Sequence, residues 1–221
     1  MINIKLYINK IIEKLKEKYS DRLVYVGLQG SFLRGEATEN SDIDIMVVID
    51  KLNVSDLDKY RLIIDSLECS DKMCGFICSK TDIQNWNPLE ICNLINSTKD
   101  YYGNLSDLVP VYTDKDIKNY IKISINNLYH EICHRYIYSD KITNKENLKY
   151  SYKSVFFILQ NLYYLKNKKF IKTKKELLNL LEGKNREVLE YSILLNNENE
   201  YDFDKYFELL FTWCKETMKK I

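Results

Sequence analysis

The chain has 221 residues, 45% of them hydrophobic, enough to bury the core of one large domain or of two smaller ones of roughly 100 residues each. No stretch approaches the ~18 consecutive apolar residues of a membrane span, and "MINIKLYINKIIEKLKEKYS" at the N-terminus has an amphipathic helix pattern without a signal-peptide cleavage site, so a cytoplasmic protein with no membrane partner is expected. The net charge of +1 divides into −4 over residues 1–115 and +5 over 116–221, too little in either half to demand a nucleic-acid backbone as partner.

In chain order, Ile4, Ile8, Ile11, Ile12 and Leu15 recur at helical spacing over 3–19, and "RLVYVGL" (22–28) reads as a buried strand. A glycine-bounded turn follows. "DIDIMVVI" (42–49) is a second strand, "VSDLDKYRLIIDSLE" (54–68) an amphipathic helix and "KMCGFICS" (72–79) a third strand. Such alternation predicts an α/β (α+β) domain with a mixed sheet. From about Asp116 the pattern turns to helices over 116–138, 146–167, 173–182, 185–196 and 203–219, which predicts an all-α helical bundle. The boundary falls near "VPVYTDKD" (109–116), giving domains 1–115 and 116–221. The six cysteines (Cys69, Cys74, Cys78, Cys92, Cys133 and Cys214) form no C-x-x-C pair and read as reduced thiols.

The chemistry concentrates in "GLQGSFLRGEATENSDIDIMVVID" (27–50). Residues two apart on a strand share a face, so Asp42 and Asp44 project together while Ile43 and Ile45 enter the core. On its own a D-x-D is more simply two solvent-facing aspartates. The preceding turn changes that reading. Gly30 permits close backbone approach to a ligand, and Ser31 starts a short helix with free N–H groups, giving a phosphate cradle ahead of paired carboxylates that suit a hard divalent cation such as magnesium. Arg34 reads equally as a phosphate neutraliser and as a surface arginine.

"LQGSFLRGEATENSDIDIMV" resembles the signature of the DNA polymerase β-like nucleotidyltransferase superfamily: Gly-Ser, a spacer, then Asp-apolar-Asp between apolar residues. Gly30, Ser31, Asp42 and Asp44 match it position by position. The details "RGEA" and "SDID" are most similar to small bacterial members, including the aminoglycoside adenylyltransferases with a C-terminal helical domain. The resemblance implies ATP and Mg2+ as cofactors, with Asp42 and Asp44 as catalytic metal ligands and Gly30 and Ser31 holding phosphates. It also implies transfer of AMP to a hydroxyl of a small-molecule acceptor, most plausibly an aminoglycoside-like antibiotic. Related transferases can build the site across a dimer, so a homodimer is compatible.

Many superfamily members carry a third carboxylate on the following strand, where this chain offers Cys74, Phe76 and Cys78. The replacements open to it are Asp82, Glu90 and Glu131. Glu131 has Arg135 four residues on, as the kanamycin nucleotidyltransferase branch implies for a helical general base, although a solvated Glu–Arg pair is the plainer reading. Lys174 best matches the lysine that contacts the triphosphate in streptomycin-type adenylyltransferases, within a "KNKKFIKTKK" run that also reads as a solvated face. The alternative function is a catalytically lapsed nucleotidyltransferase-fold binding or regulatory protein. "HEICH" (130–134) fits the zinc-protease H-E-x-x-H but lacks a third ligand, and neither Arg135 nor Arg186 is followed by the histidine of a HEPN-type ribonuclease.

Overall fold

The computed structural model describes residues 2–195 and 200–221, which fall into two compact units dividing after Tyr112. The first unit runs α1 (Ile4–Tyr19), β1 (Leu23–Leu28), α2 (Gly30–Arg34), β2 (Ile43–Ile49), α3 (Val54–Asp65), β3 (Met73–Ser79), α4 (Lys80–Gln84), α5 (Pro88–Asn96) and β4 (Lys99–Tyr102). Its four strands lie in the order β3-β2-β1-β4. β2 runs parallel to β3 and antiparallel to β1, and β1 is antiparallel to β4, so the sheet is mixed as the sequence implies.

Period-2 alternation along β2 sends its side chains to two cores. Ile43, Ile45, Val47 and Ile49 are buried with Ile8, Ile11 and Leu15 of α1 and Ile63 of α3. Met46 and Val48 face the other way, against Tyr25, Cys78, Ile83, Leu105 and Leu108. A fully buried side chain of this size contributes about 1.5–3 kcal/mol, so both layers hold the register of β2. The face carrying Met46 continues toward the start of the strand as Asp44.

The second unit contains α6 (Asp114–Tyr138), α7 (Lys141–Asn167), α8 (Lys174–Leu180), α9 (Gly183–Leu194) and α10 (Phe203–Lys220). These helices cover most of the helical spans expected from periodicity; residue 196, which closes one expected span, lies outside the described residues. α6 buries the stripe Ile117, Ile121, Ile125, Leu128 and Ile132, the 3.6-residue repeat of a helix packed on one side. Polar anchors tie the other helices together. The Trp213 indole N–H donates to Asn185 (2.8 Å), and the buried Tyr152 hydroxyl donates to the carbonyl of Tyr206 (2.7 Å).

One ion-pair network fixes the start of α3. Arg22 Nε donates to Asp50 (2.9 Å), while Nη1 and Nη2 reach the two carboxylate oxygens of Asp56 at 3.0 and 2.9 Å. Asp56 is buried, and its carboxylate also caps α3 by accepting from the backbone N–H of Asn53 (3.1 Å). The Arg22 bonds hold the Asp56 carboxyl well below the usual carboxylate range against the opposing effect of burial. An acid whose folded pKa is depressed stabilises the fold above its unfolded value of about 3.9 and loses that contribution as pH falls. Asp56→Asn should therefore lower the melting temperature at pH 7, and the gap to wild type should close between about pH 5 and pH 2 in thermal circular-dichroism melts.

Candidate functional site

The site is built where β1 ends and β2 begins. Pairing continues one residue past β1, because the Gln29 N–H donates to the Asp44 carbonyl at 2.9 Å. The chain then turns at Gly30, whose φ is +68°. A Cβ at Gly30 would lie 1.8 Å from Asp44 Oδ2. Two requirements therefore meet at one residue: left-handed backbone, which disfavours L side chains, and main chain in direct contact with a carboxylate. The short α2 that follows starts at Gly30, one residue before the expected Ser31, and closes on Gly35 at φ +70°.

Ile43 and Ile45 are fully buried, which leaves Asp44 half-buried on the opposite face and Asp42 exposed just ahead of the strand. The Asp44 carboxyl is raised above its ordinary value, chiefly by burial and further by the charge of Asp42. A Cys74 hydrogen bond and the charge of Arg34 pull it down. Arg34 is engaged locally, its Nε donating to Glu36 at 2.8 Å. Gly30, Ser31, Asp42 and Asp44 are thus gathered in one place. They offer backbone amides in a tight turn, a hydroxyl and two adjacent carboxylates.

The parallel ladder sets Cys74 of β3 opposite Asp44, so the strand that neighbours the pair presents a thiol and no acid. The next residue, Gly75, has φ +112°, and a Cβ there would meet the Ile45 carbonyl oxygen at 2.1 Å. Two acids considered as replacements have other partners. Asp82 caps α4, accepting from the Ser79 N–H at 2.9 Å, and Glu90 accepts from the Trp86 indole at 2.6 Å. Among the described residues no group of three or more His, Cys, Asp and Glu is placed to hold a metal ion. A carboxylate pair alone fits a cation such as Mg2+, which takes one or two protein oxygens and completes its octahedron with water and substrate phosphates.

Glu131 and Lys174 belong to the second unit. Glu131 Oε1 accepts from Arg135 (2.7 Å) and from the Ser151 hydroxyl of α7 (2.7 Å). Lys174 is the first residue of α8, half-buried behind the N-cap Thr173. Sequence reasoning missed Gln29, whose side-chain amide donates to Thr98 (2.8 Å), itself bonded to the Leu94 carbonyl. These bonds tie the end of β1 to the α5–β4 connection. They depend on β4, which no sequence pattern announced.

Residues 8–101 match the family model described as a nucleotidyltransferase domain. Three proteins of Methanocaldococcus jannaschii named as candidate protein adenylyltransferases are similar to this chain. One is 46% identical over 54 residues, covering 24% of this chain and 52% of that protein. Another is 37% identical over 73 residues, covering 30% and 73%, and a third is 33% identical over 58 residues, covering 26% and 40%. The chain thus spans about half the length of two of these relatives. Among solved structures, the spectinomycin adenyltransferase AAD(9) of Enterococcus faecalis, crystallised with ATP and spectinomycin, superposes with a TM-score of 0.61 at 17% identity, covering 97% of this chain and 98% of that one. At that identity the likeness shows the fold.

The burial of Asp44 has a measurable consequence without ligand. A carboxyl whose folded pKa is raised favours folding while protonated and opposes it as pH rises through that value. Asp44→Asn should therefore raise the melting temperature of the ligand-free protein at pH 7 relative to wild type, with little difference at about pH 3. Gly30→Ala should do the reverse, lowering stability on the order of 1–3 kcal/mol by denaturant titration through backbone strain and the displaced carboxylate.

Proposed function

The chain belongs to the nucleotidyltransferase domain family, and from that premise we propose that it moves AMP from magnesium-ATP to a hydroxyl of a small molecule, with an aminoglycoside-like antibiotic as the acceptor class. The observation that carries this reading is the contact between the Gly30 backbone and the Asp44 carboxylate, with Asp42 close enough to perturb it. A phosphate chain lying on the Gly30–Ser31 turn would meet the cation-binding oxygens directly.

In this reading Asp42 and Asp44 hold Mg2+, and Gly30 and Ser31 receive phosphate oxygens. The bound cation supplies charge neutralisation at the triphosphate. The reaction itself is a displacement at the α-phosphorus: the acceptor oxygen forms the new P–O bond, pyrophosphate leaves with the electron pair, and the acceptor proton passes to a base. Glu131 is assigned that base role. Lys174 is assigned to the triphosphate. The AAD(9) structure with ATP and spectinomycin supports this combination of donor and acceptor.

Two further readings rest on particular observations. The relatives named as protein adenylyltransferases favour a protein hydroxyl as acceptor. The thiol of Cys74 opposite Asp44, where many superfamily members carry a third carboxylate, favours a lapsed domain that binds nucleotide without transferring it. The proposal takes the protein as cytoplasmic and open to pairing as a homodimer. No helix among the described residues is long and apolar enough to cross a membrane.

Calorimetric titration with ATP tests the donor site. Binding should require magnesium in the wild type and be lost in Asp44→Asn, with at least about a tenfold weakening, or 1.4 kcal/mol. Pyrophosphate release should then appear on adding a hydroxyl-bearing aminoglycoside or aminocyclitol. Release only with a protein acceptor would select the second reading, and binding without release to any acceptor would select the lapsed domain. Magnesium-independent binding that survives Asp44→Asn would overturn the site.

A further inference from the structure

The proposed function leaves unused the two histidines of "HEICH", which are the only histidines of the chain. Both are exposed on α6. They stand two residues from Leu128 and Ile132 of the buried stripe, about 200° around a helix from each, so packing turns them away from the bundle. Their ring centroids are 6.0 Å apart, close to the ~6 Å rise of four helical residues. Tyr138, one further turn along, packs on His134 at 4.9 Å between centroids.

We infer that His130 and His134 form a two-imidazole chelate for a late first-row divalent cation such as zinc or nickel, separate from the carboxylate pair. Metal–imidazole bonds of about 2.0–2.1 Å put the ion roughly 3 Å from each ring centre, so two bridged rings stand about 4.5–5.5 Å apart at tetrahedral or square angles. The observed separation of 6.0 Å exceeds that value by about 0.5–1.5 Å, a difference within reach of side-chain rotation on exposed rings. Imidazole selects late transition metals while carboxylate oxygens suit magnesium. The two sites therefore sort cations by ligand chemistry.

The chelate is not the hydrolytic centre that H-E-x-x-H denotes elsewhere. Glu131 spends its Oε1 on Arg135 and Ser151, and among the described residues no group of three candidate ligands is placed to hold a metal. The remaining coordination positions go to water or to a donor from outside the chain. A bound ion spans one turn of the 25-residue α6 and stabilises the folded state by mass action.

Because the chain has two histidines, its imidazole proton–nitrogen NMR spectrum holds two spin systems. On titration of the full chain with zinc chloride under reducing conditions, both should shift together and saturate at one ion per pair. His134→Gln should weaken the His130 response at least about tenfold, and His130→Gln should do the same to His134, with helix content by circular dichroism unchanged. Asp44→Asn should leave both zinc responses intact, and magnesium alone should move neither ring, so failure here is distinguishable from failure at the nucleotide site. Movement of one ring alone, silence of both at millimolar zinc, or an undiminished response in either glutamine variant would overturn the chelate.

Discussion

Everything at the candidate site depends on one close approach, the Gly30 main chain against the Asp44 carboxylate. Nothing in the turn itself enforces that approach. It follows from the antiparallel register of β1 and β2, in which Leu28 pairs with Ile45 and the Gln29 N–H reaches the Asp44 carbonyl. The register in turn follows from burial of alternate residues on β2, since a slip by one would exchange Ile43 and Ile45 for Asp42 and Asp44 in the core. The apolar layer of α1 and α3 thus aims the carboxylates from the opposite face of β2.

The placement of Asp44 runs against the stability of the fold. A carboxylate set halfway into an apolar face beside a second acid opposes folding when ionised. The Cys74 hydrogen bond and the Arg34 charge only partly offset that, and under the proposed function a bound divalent cation would complete the offset. By contrast, Asp56 is more deeply buried yet held ionised by Arg22. One buried and one half-buried aspartate on one small unit therefore sit in opposite electrostatic settings, Asp56 paired with an arginine and Asp44 next to a second acid.

Legibility in the sequence tracked the range of the contacts involved. Gly30, Ser31, Asp42 and Asp44 could be read because they lie on one hairpin-like segment, and period-2 burial dictates which way the aspartates point. The long helices of the second unit could be read because α6, α7 and α10 repeat apolar residues over many turns. β4 could not: "KDYY" is four residues long and is a strand by virtue of hydrogen bonds to β1, far away in sequence. α4 and α5 carry local signals, the Ser79–Asp82 capping box and Asn87-Pro88 at a helix start, but at five and nine residues they are too short for apolar periodicity to mark them as helices. At Glu131 the Arg135 partner was visible from i,i+4 spacing, whereas the Ser151 bond required knowing that α6 and α7 lie side by side.

Among the described residues β3 ends the sheet on one side. A terminal strand usually offers a straight row of unpaired donors and acceptors on which another chain can grow, and proteins blunt such rows to stay out of aggregates. Gly75 does this here. At φ +112° Gly75 departs from ordinary strand dihedrals on this border, one residue from Cys74, and the Ile45 carbonyl leaves no room for a side chain there. The glycine beside the candidate site therefore also interrupts the regular edge on which another strand could pair.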